Sequence, residues 1–329
     1  MRIPKVVRNI SVVALCSLAL ASCQNDPWEM EADLSQAAGL NIIHFADSVV
    51  PLDSIGMMIV LEQMAPRHPI MFDAEWRVNF PPYLQSEAVQ TLYQDVVHAR
   101  PDLDTWEQEV RTSYAKLVEW LGGSQADAFV YTYVSQAEPH DILVGPQTIF
   151  LPWDRYLGSD HPLYDQEAHY QTRMHHPDVA VARITTEWIR PLLPNAPNSP
   201  TLLGAMLHEA RFIMTIEACL GEDHAYRYLG MTAEQREFIE SHERDLWGVF
   251  VEQRWLYSSD VDVKRKLIQP APFSKLGSEH DQQIPGRLGT WFGWQILRAY
   301  WREHPEFGLS EILAAVDDQV ILRQSGYRP

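Results

Sequence analysis

The sequence predicts an α+β fold: mainly α, with a small antiparallel β-sheet set into its first half. Three observations lead there. Apolar residues fill 46% of the 329 positions and charged residues 21%, the balance of a chain that can bury a core. From Val179 onward, apolar residues recur at steps of three and four, the period of helices with a buried face. Before that, Phe129–Ser135 reads FVYTYVS, and Asp141–Leu151 is again rich in β-branched and aromatic residues, the composition of strands.

Residues 1–22 read as a lipoprotein signal peptide. Arg2, Lys5 and Arg8 precede an apolar run, Val12–Ala21, too short to span a bilayer as a mature helix. The run ends Leu20-Ala21-Ser22-Cys23, a lipobox in which Cys23 becomes the lipidated first residue. A diacylglycerol thioether and an amide-linked acyl chain together supply more than one anchoring signal, so attachment is expected to be stable. Gln24 rather than Asp follows the cysteine, which favours the outer membrane. Residues 23–40 are polar and acidic and read as a tether; residues 41–329 read as a single globular domain.

Within that domain, Asn41–Val50 reads as a strand, and Ser54–Met64 and Glu87–Ala99 as helices. Asp104–Leu121 is a stronger helix, stopped by Gly122-Gly123. The two β-rich segments, spanning about 129–151, are expected to pair antiparallel. The stretch 151–178, dense in Pro, Asp, His and Tyr, reads as an irregular loop. The helical part, 179–329, divides into about 179–192, 201–220, 232–256, 286–303 and 309–315.

Charge and cysteine content narrow the function classes. Twenty-six basic residues face 44 acidic ones, a formal −18, and the leader itself is basic. So acidic a body argues against nucleic acid and against a polybasic grip on anionic lipid. Of three cysteines, Cys16 leaves with the signal and Cys23 carries lipid, so Cys219 has no partner for an intrachain disulfide. Stability must come from packing.

Two helices carry acids on their apolar stripes. Leu202, Met206, Ile213, Ile216 and Leu220 recur at helical spacing, and Glu209 falls among them. The next helix opens with the capping box Thr232-Ala-Glu-Gln235 and carries Glu243 on the stripe of Ile239, Leu246 and Phe250. A buried carboxylate needs a cation, a proton or a metal. One reading pairs these acids with an arginine, Arg254 or Arg287. The other is zinc: His208-Glu209 begins the H-E-x-x-H pattern, and Glu243, 34 residues on, suits a further ligand. The second histidine position holds Phe212, which cannot ligate. His161, His169, His175, His176 or His242 would have to substitute, and no spacing selects one.

In the C-terminal third, Tyr257-Ser258-Ser259-Asp260 ends a helix. Pro285 suits a helix start, and Gly286, Gly289 and Gly293 let another backbone approach closely. Arg287, Trp291, Trp294, Arg298 and Trp301 fall along one side, either as core with arginine at its rim or as an aromatic and cationic binding face.

YLGSDHPLY (Tyr156–Tyr164), LLGAMLHEARF (Leu202–Phe212), MTAEQ (Met231–Gln235), HERDLWGVFVEQRWLYSSD (His242–Asp260), APFS (Ala271–Ser274), PGRLGTWFGWQILRAYW (Pro285–Trp301) and the terminal SGYRP (Ser325–Pro329) stand in an order and spacing that resembles the gliding motility lipoprotein GldB family. The matching pieces cover about half the chain. The resemblance implies an outer-membrane lipoprotein needed for gliding, linked with the neighbouring secretion and motility proteins. It also implies a distant likeness to zinc-dependent, zincin-like proteases whose metal motif has degenerated. The family pattern keeps a glutamate at Glu209 and a basic residue at Arg211 without paired histidines. No catalytic residue carries over, Glu209 being the one candidate, and no cofactor is expected.

The leading expectation is therefore a non-enzymatic, membrane-tethered component of the gliding or envelope secretion machinery. Its candidate buried polar or pocket residues are Glu209, Arg211, Glu243, Asp260, Arg287, Trp291 and Trp294. The alternatives are a zincin-like envelope metallohydrolase or peptidase, with zinc on His208 and Glu243, and a solute- or glycan-binding lipoprotein using the tryptophan-rich helix.

Overall fold

The computed structural model describes residues 30–122, 127–136 and 138–329. The expected signal peptide, Cys23 and the start of the tether lie outside the described residues. The fold begins before the expected boundary at residue 41. Leu34–Ala37 forms a 3-10 turn capped by the Asp33 carboxylate, and Ala37 is already buried.

Strand β1 (Leu40–His44) leads into the short helix α1 (Phe45–Val49), so the expected strand over 41–50 is half strand and half helix. Four helices follow: α2 (Ser54–Met64), α3 (Trp76–Leu84), α4 (Glu87–Ala99) and α5 (Leu103–Leu121). Asp53, Ser86 and Asp102 cap α2, α4 and α5 by accepting backbone N–H bonds in the first turn. Gly122 ends α5 in the left-handed conformation, at φ 60°.

The sheet is small, as expected, but its pairing differs. Its order is β1, β2 (Ala128–Tyr133), β4 (Thr148–Pro152), β3 (Leu143–Gly145). β1 pairs parallel with β2, and β2 parallel with β4; only β3 and β4 are antiparallel. The region 141–151 is thus a hairpin broken at Pro146-Gln147, with Gln147 at φ 51°. Alternation marks a strand but carries no direction. Helices α1–α5 supply the long crossover that the parallel pair β1–β2 requires.

The segment after β4 is irregular yet packed. Three 3-10 turns and the short α6 (His169–Thr172) carry the buried Tyr156, Tyr164 and His175. Helix α7 (Pro177–Ile189) then begins with proline at its first turn and His176 as its cap. The remaining helices are α8 (Leu202–Leu220), α9 (Glu222–Leu229), α10 (Ala233–Ser241), α11 (Glu243–Glu252), α12 (Val261–Ile268), α13 (Leu288–Glu303), α14 (Leu309–Ala314) and α15 (Asp318–Gln324). The helix expected over 232–256 breaks at His242. There the Phe238 carbonyl accepts from the His242 backbone N–H at 3.1 Å, and the His242 imidazole Nδ1 lies 2.9 Å from the same oxygen.

Helix α8 is the axis of the molecule. It touches α5, α7, α9, α12, α13, α14 and α15, most extensively α13. From Leu202 to Cys219 only His208 and Glu209 are not buried. Close approach comes from glycine, as the sequence indicates: a Cβ on Gly293 would overlap the Met206 carbonyl of α8, and one on Gly286 the Ala271 carbonyl. These contacts bring α7, α8, α9 and the start of α13 around one cleft.

Candidate functional site

The cleft has a volume of about 260 Å³. Arg183 and Arg190 come from α7 and the turn after it, Glu209 from α8, Tyr228 from α9 and Arg287 from the turn into α13. Arg173, Tyr170 and the Ile268–Ala271 loop complete its walls.

Tyr228 is the hub. The guanidinium carbon of Arg183 lies 5.1 Å from its ring centroid and that of Arg287 5.5 Å, so two cations share one aromatic ring. Arg287 sits at φ 61°, a left-handed conformation that ordinary residues rarely adopt, and donates from Nη1 to the Tyr228 carbonyl at 3.0 Å. Its Nη2 stands 3.9 Å from Oε2 of Glu209. Burial pushes the Arg287 guanidinium below its ordinary value. The Arg183 charge pushes the same way, while Tyr228 and Glu209 pull against both.

A charged network lies behind this wall. Asp141 accepts from Arg183 at 3.4 Å and, more closely, from Arg155 at 3.1 Å. Arg155 also donates to Glu167, which pairs with His175 at 2.7 Å. Arg190 gives Nε and Nη2 to Glu187 at 2.8 and 2.9 Å and lies over the Phe212 ring. Arg173 donates to Gln235 and the Gly230 carbonyl and forms no ion pair among the described residues.

Of the candidate buried polar or pocket residues, only Glu209 and Arg287 line this cleft. Arg211 leaves α8 elsewhere and donates to the Ala315 carbonyl at 2.5 Å. Glu243 accepts from the Tyr327 hydroxyl at 2.5 Å rather than from Arg254. Asp260 caps α12. Trp291 and Trp294 are buried, donating to the Tyr226 hydroxyl and to Glu217, so they belong to the core side of that stripe. His208 packs edge-on against Phe212, and burial holds its imidazole below the usual histidine value.

These donors do not suit a metal. Among the described residues no three His, Cys, Asp or Glu side chains converge as ligands, and His208, Glu209 and Glu243 are not gathered. His161 sits 3.5 Å from Asp95, His175 is engaged with Glu167, His176 caps α7 and His242 stacks on Phe238. A buried guanidinium near Glu209 opposes a divalent cation there.

Sequence reasoning missed Arg183, Arg190 and Tyr228. Arg183 carries a signal: it interrupts the apolar run of α7 as Glu209 interrupts that of α8. Tyr228 carries none. Chemically, the cleft presents several guanidinium forks, two tyrosine rings and a single carboxylate, a lining that can hold an anionic group.

A family described as "Gliding motility protein GldB" matches residues 30–329, and the chain belongs to it. No curated protein and no solved structure matches the chain.

Proposed function

We propose that this member of the gliding motility GldB family is a lipid-anchored, non-catalytic binding component of the gliding apparatus or its associated secretion machinery at the outer membrane. Family membership over residues 30–329 supports the motility role. Among the described residues no helix is long and apolar enough to cross a membrane. In this reading attachment falls to lipid on Cys23, and the folded domain hangs from it in the envelope. Its partners are other gliding or secretion proteins.

One observation carries the non-catalytic part. The carboxylate that would polarise a metal-bound water in a zincin-like protein faces the Arg287 guanidinium at 3.9 Å instead, and Phe212 occupies the second histidine position. Any kinship with zincin-like proteases then survives as scaffold, with the helix kept and the chemistry replaced.

The test is complementation of a deletion strain with wild type, Cys23→Ser and Glu209→Gln, read as colony spreading and secretion. The deletion is expected to stop spreading, Cys23→Ser to leave it stopped, and Glu209→Gln to restore it. A deletion strain that spreads and secretes normally overturns the motility role. A folded Glu209→Gln protein that fails to complement, together with one zinc per chain in the purified wild-type protein, returns the metallohydrolase reading.

A further inference from the structure

We infer that the cleft between α7, α8, α9 and the start of α13 binds a phosphoryl group. Arg183, Arg190 and Arg287 hold it around Tyr228, and Glu209 accepts a hydrogen bond from a hydroxyl or ammonium on the same ligand.

The first ground is charge. The chain carries 44 acidic against 26 basic residues, yet four arginines and one glutamate line this cleft. The acids behind the wall compensate them only in part. Glu187 is committed to Arg190, and Asp141 is divided between Arg183 and the closer Arg155. Glu209 is the one acid on the surface of the cleft, at 3.9 Å from Arg287. Two guanidiniums held against one buried ring repel each other, and an anion between them relieves that repulsion.

The second ground is unused hydrogen-bonding capacity. Nη1 of Arg183 and Nη1 of Arg190 make no hydrogen bond among the described residues, whose bonds from these side chains run through Nη2 and through Nε and Nη2. Guanidinium forks match the paired oxygens of carboxylates and phosphates. A single carboxylate offers two coplanar oxygens, which one fork satisfies; a phosphate monoester offers three terminal oxygens, and a diester two terminal and two ester oxygens, arranged tetrahedrally, so that either can bridge several forks. The volume, about 260 Å³, limits the bound part to a phosphoryl group and a few further atoms. The inference goes beyond the motility role and does not depend on it, because purified protein tests it.

The full chain is titrated calorimetrically with inorganic phosphate, phosphoethanolamine and glycerophosphoethanolamine at constant ionic strength, with chloride as the control. Saturable phosphate binding is expected. Arg190→Gln, which alters a half-exposed side chain, should weaken it about tenfold. Glu209→Gln should tighten inorganic phosphate severalfold, a gain that misfolding cannot produce. Tighter binding of glycerophosphoethanolamine than of phosphoethanolamine identifies a lipid headgroup as the source; the reverse order identifies a soluble phosphate ester. Heat equal to that of chloride, or affinity unmoved by Arg190→Gln and not raised by Glu209→Gln, overturns the proposal.

Discussion

Arg287 and Glu209 face each other across the cleft at 3.9 Å, near enough to attract and too far for a hydrogen bond. The carboxylate side chain is 36% exposed, so water already solvates it. With the carboxylate hydrated and the buried Arg287 bonded to the Tyr228 carbonyl, a pair at this range contributes little to folding. Glu209→Gln should therefore change stability by less than about 0.5 kcal/mol in urea unfolding. A loss several times larger would make Glu209 a structural acid and not a cleft group.

The structural acid on α8 is Glu217, two turns further along. It is 5% exposed, accepts from Trp294 Nε1 at 2.6 Å and pairs with Arg298 at 3.2 Å. Glu217→Gln keeps an acceptor for the tryptophan but removes the charge beside Arg298, which retains Glu222 at 2.9 Å. A loss of about 1–3 kcal/mol is expected. Glu217→Leu, which strands the buried Trp294 N–H and leaves Arg298 with Glu222 alone, should cost about 3–5 kcal/mol. Equal midpoints for the two variants would show that the side chain only fills space.

This contrast marks how far the sequence could be read. Periodicity found α2, α4, α5 and α8 within a residue or so, because their caps and apolar spacing agree. On α8 the stripe argument loses its power. A helix buried on nearly every side has no polar face to define the stripe, so Glu209 and Glu217 look alike although one lies in a cleft and the other in the core. Arg287 was legible from its setting, PGRLG, but its ring partner Tyr228 lies 59 residues earlier in sequence and joins it only through tertiary packing. The strand directions were illegible for the same reason. They depend on where the α1–α5 crossover lands, which alternation in FVYTYVS does not encode.

Two helical glycines should respond oppositely to the same substitution. A Cβ on Gly293 would overlap the Met206 carbonyl and crowd Ala210, both on α8. Gly293→Ala is expected to destabilise by about 1–3 kcal/mol, since neither backbone can yield easily. Gly248, in α11, would meet nothing within 4 Å. Gly248→Ala should stabilise by up to about 1 kcal/mol through helix propensity alone. Thermal midpoints of the two variants check this directly, and a shift in the same direction for both would contradict the packing of α13 on α8.

Asp47 gives the first half of the chain an acid-sensitive contact. It accepts from both terminal nitrogens of Arg100, at 2.7 and 2.6 Å, and from the Tyr93 hydroxyl at 3.0 Å. Burial alone would raise this carboxyl. The Arg100 bonds and charge outweigh burial and hold it below the usual aspartate value, while burial and the same carboxylate push Tyr93 up to about 12. Because the folded value lies below the unfolded one, the stabilisation is complete above the unfolded value of about 4. It is lost as pH falls through the folded value, where the native state must also take up the proton. Asp47→Asn should be less stable than wild type by about 1–3 kcal/mol at neutral pH, and the two stability curves should converge as pH drops below about 4. Urea midpoints measured from neutral to acid pH decide it: curves that stay parallel would mean that the pair contributes through shape and not through charge.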